Sequence, residues 1–206
     1  MRSGLRTVLG LAGTLVVVAA GLTACNTTRP LYDYASEPDP RKQEFVLGPS
    51  DVLRVNVWRN PELSGDVPIR PDGTISLPLV GDIRASGRSA GDVRGEIWKK
   101  LQAFIKDLES NNVTVSVSSI NSYRFVVNGN VEHTGVFTSN HYVTVAEAIA
   151  LAGGPNRFAS ANEAVIIRDD PGKSKKRIPV DYLSILKGTH PEMDLPLLAN
   201  DIVYVP

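Results

Sequence analysis

The run RPDGTISLPLVG, residues 70–81, decides how the first half of this 206-residue chain folds. Pro71-Asp72-Gly73 predicts a tight turn, because proline fixes φ at the start of a turn and glycine accepts positive φ near its end. Apolar and polar residues then alternate from Thr74 to Pro78, as in a half-buried strand. Residues 67–70 and 74–78 are therefore predicted as hairpin arms, and residues 80–83 as another short strand.

Elements on both sides of this run complete a first unit over residues 45–120. A turn at Gly48-Pro49-Ser50-Asp51 begins a strand over residues 52–58. Ser89 and Asp92 have the spacing of a capped helix start. Apolar residues then recur at helical spacing and predict one buried stripe: Val93, Ile97, Leu101, Phe104, Ile105 and Leu108. After the helix, valine at every second position from Val113 to Val117 predicts a strand.

A second unit follows over residues 121–206. Thr144 and Glu147 predict a capped helix, and Gly153-Gly154-Pro155 ends it because glycine accepts left-handed φ and proline cannot continue a helix. Strands are predicted at residues 125–129, 164–168, 177–180 and 202–205, with a turn region over 131–136 and one helical turn over 181–186. One helix among short strands in each unit predicts an α+β chain of two small domains.

The N-terminus has the layout of a secretion signal. Arg2 and Arg6 precede an uncharged core of 15 residues, 8–22, and small residues follow it. As a helix the core would be about 22 Å long, short of the roughly 30 Å that a membrane span must cross. We therefore expect residues 1–24 to be removed; the alternative is an uncleaved anchor.

The next segment and the overall charge give further limits. Residues 25–44 are polar and contain prolines, so we expect a tether before the first domain. The chain has 22 basic and 22 acidic residues, which does not favour a nucleic-acid partner. Its one basic cluster, residues 173–177, follows Asp169-Asp170-Pro171-Gly172 and is interpreted as a solvated hairpin tip.

No residue pattern indicates an enzyme or a cofactor site. The carboxylates of the first unit lack the spacing of an acid and base pair, and Asp51 and Asp72 are expected to bind nearby backbone in turns: Asp51, Glu62, Asp66, Asp72 and Asp82. The three histidines lack the spacing of a metal site: His133, His141 and His190. Trp58 and Trp98 could stack on sugars, but packing in the core or between subunits is the preferred interpretation.

Two blocks of sequence resemble a known family. The runs LGPSDVL at 47–53, NPELSG at 60–65 and residues 70–81 resemble the periplasmic domain of outer-membrane polysaccharide export lipoproteins. Gly129, the helix from Thr144 to Pro155 and the closing run LANDIVYV at 198–205 are similar to the soluble-ligand-binding (SLBB) β-grasp domain that follows in that family. The resemblance covers residues 45–206, and it implies a polysaccharide-export domain followed by one β-grasp domain.

The N-terminus also resembles the bacterial lipobox, through Leu22, Thr23, Ala24 and Cys25. The resemblance implies that Cys25 is acylated and becomes the first residue after cleavage, and Asn26 behind it favours the outer membrane. A doubly or triply acylated terminus holds a protein stably on a bilayer. Cys25 is the sole cysteine, so no disulfide is expected.

The resemblance implies a non-enzymatic, lipid-anchored subunit on the periplasmic face of the outer membrane. Its copies would form a homo-oligomeric ring that passes capsule or exopolysaccharide, with an inner-membrane polysaccharide copolymerase as partner. Longer members end in an amphipathic membrane helix, whereas this sequence stops at Pro206. A short form is therefore expected to need a separate outer-membrane β-barrel. The alternative is a lipid-anchored β-grasp protein that binds a soluble carbohydrate without forming a conduit.

Overall fold

Alternating burial along β1 (Val52–Val57) organises the first half of the fold. The computed structural model describes residues 32–170, 172 and 174–206. Leu53, Val55 and Val57 point into the core, as the sequence pattern predicts. β1 lies between β2 (Gly65–Pro68) and β5 (Val113–Ser119) in an antiparallel sheet.

The RPDGTISLPLVG run forms a turn, one strand and the connection to the strand that pairs with it. β3 (Thr74–Leu77) and β4 (Gly81–Arg84) pair antiparallel, with Ile75 opposite Ile83 and both side chains buried. Gly73 has φ +83°, the conformation for which the predicted turn needs glycine. The predicted strand positions are confirmed to within two residues at each end. The prediction that residues 67–70 and 74–78 are two arms of one hairpin is wrong, because β2 pairs with β1 and β3 pairs with β4 in a separate sheet.

The first helix, α1 (Ala90–Leu101), begins as predicted and ends earlier than the apolar stripe. Ser89 and Asp92 form a reciprocal capping box. Asp107 has φ +58°, a conformation that is incompatible with a helix, and the chain turns back so that Leu108 is buried and Phe104 is 58% exposed. The stripe therefore contributes to the core without being one helix, and Phe104 does not belong to it.

A five-stranded mixed sheet in the order β7-β6-β10-β8-β9 forms the second half. β6 and β10 are parallel, and the other neighbours are antiparallel. The strands are β6 (Arg124–Gly129), β7 (Gly135–Thr138), β8 (Ala164–Arg168), β9 (Lys176–Val180) and β10 (Ile202–Val205). β7 was not predicted from the sequence, because residues 131–136 were interpreted as a turn. Its four residues include Gly135 and an exposed Val136, which leave little apolar pattern.

Two helices accompany this sheet. In α2 (Val145–Leu151) Thr144 caps the helix start as predicted, and Val145, Ala148 and Ile149 form a buried face. Gly153 and Gly154 follow the helix with φ +84° and +86°. α3 (Tyr182–Lys187) is the predicted helical turn, capped by Asp181 and ended by a left-handed Gly188.

Residues 32–206 form one compact unit with two hydrophobic cores. One core gathers side chains from β1, β3, β4 and α1, and the other gathers them from the five-stranded sheet and α2. This confirms the α+β class with two domains. Within the described residues, no helix is long and apolar enough to span a membrane.

The segment from residue 32 to residue 44 packs on the second core, whereas the sequence predicted a polar tether there. It contains two 3₁₀ turns, Tyr34–Ser36 and Pro40–Lys42. Tyr32 and Tyr34 contact the core, and the Tyr34 hydroxyl donates a 2.8 Å hydrogen bond to the carbonyl of Pro179 in β9. We call residues 32–44 the N-terminal strap. The predicted signal, residues 1–24, and the lipobox residues Leu22 to Cys25 lie outside the described residues.

Candidate functional site

The junction between the two domains is built on the buried side chain of Asp51. Its carboxylate accepts hydrogen bonds from four donors: Gly48 N–H at 2.8 Å, and Asn121 N–H, Ser122 N–H and Ser122 Oγ at 2.7 Å each. The bond from Gly48 is the predicted turn contact. The bonds from Asn121 and Ser122 were not predicted, because these residues lie about 70 positions away in sequence. Asp51 therefore fixes the start of β1 to the segment that enters the second domain.

Close packing makes the same junction rigid. A Cβ added to Gly48 would lie 2.3 Å from Cβ of Ser122, closer than real Cβ atoms come. The Asn121 side chain also donates a 2.8 Å hydrogen bond to the carbonyl of Ser50. Both halves of the chain are thus held in one arrangement by short polar contacts and by the absence of a side chain at residue 48.

An open groove of about 490 Å³ lies beside this junction. Phe45 and Tyr142 provide aromatic walls, with ring centroids 6.2 Å apart. Gln43, Glu44 and Asn200 provide polar groups at its rim. Aromatic faces combined with amides and a carboxylate are the chemistry that recognises sugar rings.

Tyr123 supports the aromatic wall from below. Its ring lies 5.1 Å from that of Tyr142, edge to face. Its hydroxyl donates to the carbonyl of Leu197 at 3.2 Å and accepts from the N–H of Val143 at 3.1 Å. Burial raises the pKa of Tyr123 to about 12, so the hydroxyl stays protonated and keeps its donor role.

A second polar centre holds the strap on the second domain. The side chain of Glu37 is 2% exposed and accepts a 2.9 Å hydrogen bond from Nη1 of Arg168, together with hydrogen bonds from Lys176 and the Tyr32 hydroxyl. Burial alone would raise the pKa of Glu37, but the hydrogen bonds from Lys176 and Tyr32 and the charge of Arg168 hold that pKa below its usual value. Hydrogen bonding to Glu37 raises the pKa of Lys176.

Arg168 also pairs with Asp201 in the interior. Its Nε and Nη2 contact the Asp201 carboxylate at 3.1 and 2.7 Å, and Nη2 donates to the carbonyl of Pro196 at 3.1 Å. Burial raises the pKa of Asp201, and the hydrogen bonds and charge of Arg168 oppose that rise. One guanidinium therefore joins β8, the loop before β10 and the strap. Asp201 lies in the run used for the family resemblance, but no sequence signal indicated its pairing with Arg168.

Three of the other four candidate carboxylates of the first unit have separate structural partners. Asp72 accepts from the N–H of Thr74 at 2.9 Å, as predicted for a turn, and Asp66 pairs with Arg54 at 2.7 Å. Asp82 accepts from Ser76 and lies 3.2 Å from Arg70. Glu62 is exposed. Asp66, Asp72 and Asp82 are therefore used for local structure.

The histidines and tryptophans are dispersed over the surface. Among the described residues, no group of histidine and acidic side chains could hold a metal ion. His141 pairs with Glu147 at 2.8 Å and His190 with Glu192 at 2.9 Å, all on exposed turns or helix ends. Trp98 is half-buried and donates to the carbonyl of Leu108 at 3.0 Å. Trp58 is 64% exposed, so the interpretation that it packs in the core of its own subunit is wrong.

Two family models match the chain in the order that the two cores follow. The model described as "Polysaccharide biosynthesis/export protein" matches residues 39–118, and the SLBB domain model matches residues 124–181. Asn121 and Ser122 lie between the two matches, and their partner Asp51 lies within the first match. The chain is a homologue of polysaccharide export proteins. These families contain export proteins rather than enzymes. The first match begins at residue 39, inside the strap.

The relatives that match this chain are named as polysaccharide production, export or transport proteins. The exopolysaccharide production protein ExoF of Rhizobium meliloti (strain 1021) is 35% identical over 130 residues, 57% of this chain and 30% of ExoF. The EPS I polysaccharide export outer membrane protein EpsA of Ralstonia solanacearum is 29% identical over 145 residues, 59% of this chain and 38% of EpsA. The polysialic acid transport protein KpsD of Escherichia coli is 25% identical over 113 residues, 54% of this chain and 20% of KpsD. The matched region thus spans less than two fifths of each of these three relatives.

Proposed function

We propose that this protein is a periplasmic component of a capsule or exopolysaccharide export machine, anchored in the outer membrane through Cys25. The observation that carries the proposal is the export domain followed by an SLBB domain, matched over residues 39–118 and 124–181. The names of ExoF, EpsA and KpsD support the same role. The protein makes and breaks no bond in this role; it binds, positions and passes the polymer.

The anchor of this proposal is the lipobox. Leu22-Thr23-Ala24-Cys25 follows an apolar core too short to span a bilayer as a helix. Acylation of Cys25 would place the folded domains in the periplasm against the inner leaflet of the outer membrane. This location agrees with the outer membrane in the name of EpsA.

The conduit of this proposal is a homo-oligomeric ring. A ring requires two different complementary faces on each subunit, and it needs those faces to be held at a fixed angle. The Asp51 junction would provide that angle. Exposed apolar side chains on both domains are candidates for buried contacts between subunits: Trp58 and Leu79 on the first, Val136, Leu151 and Phe158 on the second.

The partners of this proposal are an inner-membrane polysaccharide copolymerase, which would deliver the polymer, and a separate outer-membrane β-barrel, which would complete the route. Deleting the gene should remove polysaccharide from the cell surface and cause it to accumulate inside the cell. Unchanged surface polymer would contradict the export role. Pore conductance in planar bilayers from the purified protein alone would contradict the need for a separate barrel.

The groove at the junction favours a second candidate function, the capture of a soluble carbohydrate without a conduit. Phe45 and Tyr142 line a groove large enough for a sugar ring. A monomeric purified protein that binds an oligosaccharide tightly, with binding lost in Tyr142→Ala, would favour this function. A closed oligomer with weak oligosaccharide binding would favour export.

A further inference from the structure

The strap fixes the N-terminal end of the described chain to one edge of the SLBB sheet. Glu37 in the strap is buried against Arg168 and Lys176, and Tyr34 bonds to β9, the edge strand of the five-stranded sheet. If Arg168 or Lys176 moved away, the negative charge of Glu37 would stay buried without a partner, which is strongly destabilising. The strap is therefore part of the folded domain, and Tyr32 is a fixed exit point for the chain that leads to Cys25.

The length of that chain limits where the membrane can be. Six residues, 26–31, lie between Cys25 and Tyr32, so seven residue-to-residue steps join the two. Even fully extended, they reach at most about 25 Å. If Cys25 is acylated, as the proposed function holds, the edge of the SLBB domain that carries the strap lies within this distance of the lipid headgroups.

The elements next to the strap present a surface suited to that position. α3 directly follows β9, and the 3₁₀ turn Pro191–Met193 contacts both α3 and the first turn of the strap. On α3, Tyr182 is buried, whereas Leu183 is 43% and Leu186 is 62% exposed. These two leucines are three residues apart and therefore share one helix face.

The helix α3 and the strap each carry an exposed lysine. Lys187 is exposed at the end of α3, and Lys42 is exposed in the strap. A short amphipathic surface with leucines and lysines gains free energy at a lipid interface, where apolar side chains enter the headgroup region and cations meet anionic lipids.

We infer that the face formed by the strap, β9 and α3 rests on the inner leaflet of the outer membrane, with Leu183 and Leu186 at the lipid surface. This inference rests on the proposed acylation of Cys25. It orients the subunit: the SLBB domain lies next to the bilayer that holds the anchor, and its α3 face is closed to soluble partners.

Lipid quenching at single sites tests this orientation on the full acylated chain. Leu186→Cys and, as a matched control on the export domain, Phe104→Cys each add one thiol at an exposed apolar position, since the Cys25 thiol is consumed by the lipid. Each variant is labelled with bimane and reconstituted in vesicles of phosphatidylethanolamine and phosphatidylglycerol that carry nitroxide headgroups. We expect a loss of fluorescence at residue 186 and retention of fluorescence at residue 104.

A tether variant tests the cause. About 20 glycine and serine residues inserted between Thr27 and Thr28 lengthen the connection without altering the strap, and should reduce quenching at residue 186. Equal quenching at both sites, or stronger quenching at residue 104, would overturn the inference. An intact mass without lipid would also overturn it, since the anchor would be absent. Surface polymer measured in strains that carry the same variants tests export separately. The proposed orientation and the proposed export function can therefore fail independently.

Discussion

At the scale of single residues, Asp51 is the contact on which the junction depends. Asparagine at this position keeps the size but replaces one acceptor oxygen with an NH₂ group that faces donors. We expect Asp51→Asn to lower the free energy of unfolding by about 3 kcal/mol, because the NH₂ group faces backbone N–H donors in either orientation of the amide. Gly48 loses its acceptor in one orientation, and Asn121 and Ser122 lose theirs in the other. Chemical denaturation of the purified soluble domains measures this directly.

Asp66→Asn is the matched control for this change. Asp66 makes a charged pair with Arg54 on the surface, where solvent screens the interaction. Its substitution should change stability little. An equal loss in both variants would contradict a special role for the buried carboxylate.

Gly129 tests close packing at the end of β6. It has φ +96°, and a Cβ there would lie 2.0 Å from the carbonyl oxygen of Val205 in the neighbouring strand. We expect Gly129→Ala to cost about 3 kcal/mol or more, through strain and displacement of β10. Gly135→Ala in β7, where a Cβ meets nothing within 4 Å, should change stability by about 0.5 kcal/mol or less. Thermal unfolding of the two variants gives the comparison, and a tolerated alanine at 129 would contradict the described packing.

Residue patterns in the sequence predicted the turn contacts and failed for long-range polar pairs. The Gly48 to Asp51 and Asp72 to Thr74 hydrogen bonds follow from short-range turn chemistry. The pairing of Arg168 with Asp201 joins residues 33 positions apart, and a charged residue in a strand carries no periodic signal for its partner. Burial of such a pair is decided by tertiary packing.

At the scale of elements, the strap depends on an ionised Glu37. Because its pKa is held below the usual glutamate value, Glu37 stabilises the fold at neutral pH, and this contribution is lost as the pH falls from the usual value of 4.5 through the lower folded-state value. Glu37→Gln should therefore have a lower melting temperature than the wild type at pH 7. The difference should shrink as the pH falls below 4.5.

Ser36→Ala in the exposed part of the same turn is the control for this pH series, and it should track the wild type at every pH. A Glu37→Gln difference that is independent of pH would show that packing, rather than charge, holds the strap. Hydrogen exchange at residues 32–44 would locate the change, with faster exchange expected in Glu37→Gln.

Elements with a strong apolar period were predictable, and those held by single contacts were not. β1, α1 and α2 follow from alternation, capping and glycine stops. The strap has no apolar period. Two tyrosines and one buried glutamate attach it to the second domain, and such single contacts leave no periodic pattern in the sequence. β7 is short and half-exposed, so pairing with β6 rather than local pattern defines it.

At the scale of the whole molecule, the two domains form one compact unit, which is what a subunit of the proposed ring would need. The family resemblance in the sequence predicted both domains and their order. It could do so because turn-forming runs such as residues 70–81 are contiguous in the sequence and follow each other in the order seen in the family. The faces that would meet in the proposed ring could not be predicted, since the sequence around a residue such as Trp58 shows no pattern that separates a subunit contact from a core position. Its exposure became known from the fold.

Export by a protein anchored through Cys25 is tested most directly by measuring surface polysaccharide in a Cys25→Ala strain. Surface polymer would be compared among the wild type, the gene deletion, Cys25→Ala and the deletion complemented with the wild-type gene, with equal protein levels checked by immunoblot. We predict loss of surface polymer in the deletion and in Cys25→Ala, accumulation inside both, and restoration on complementation. Normal surface polymer in Cys25→Ala would contradict the anchor, and normal surface polymer in the deletion would contradict the export function.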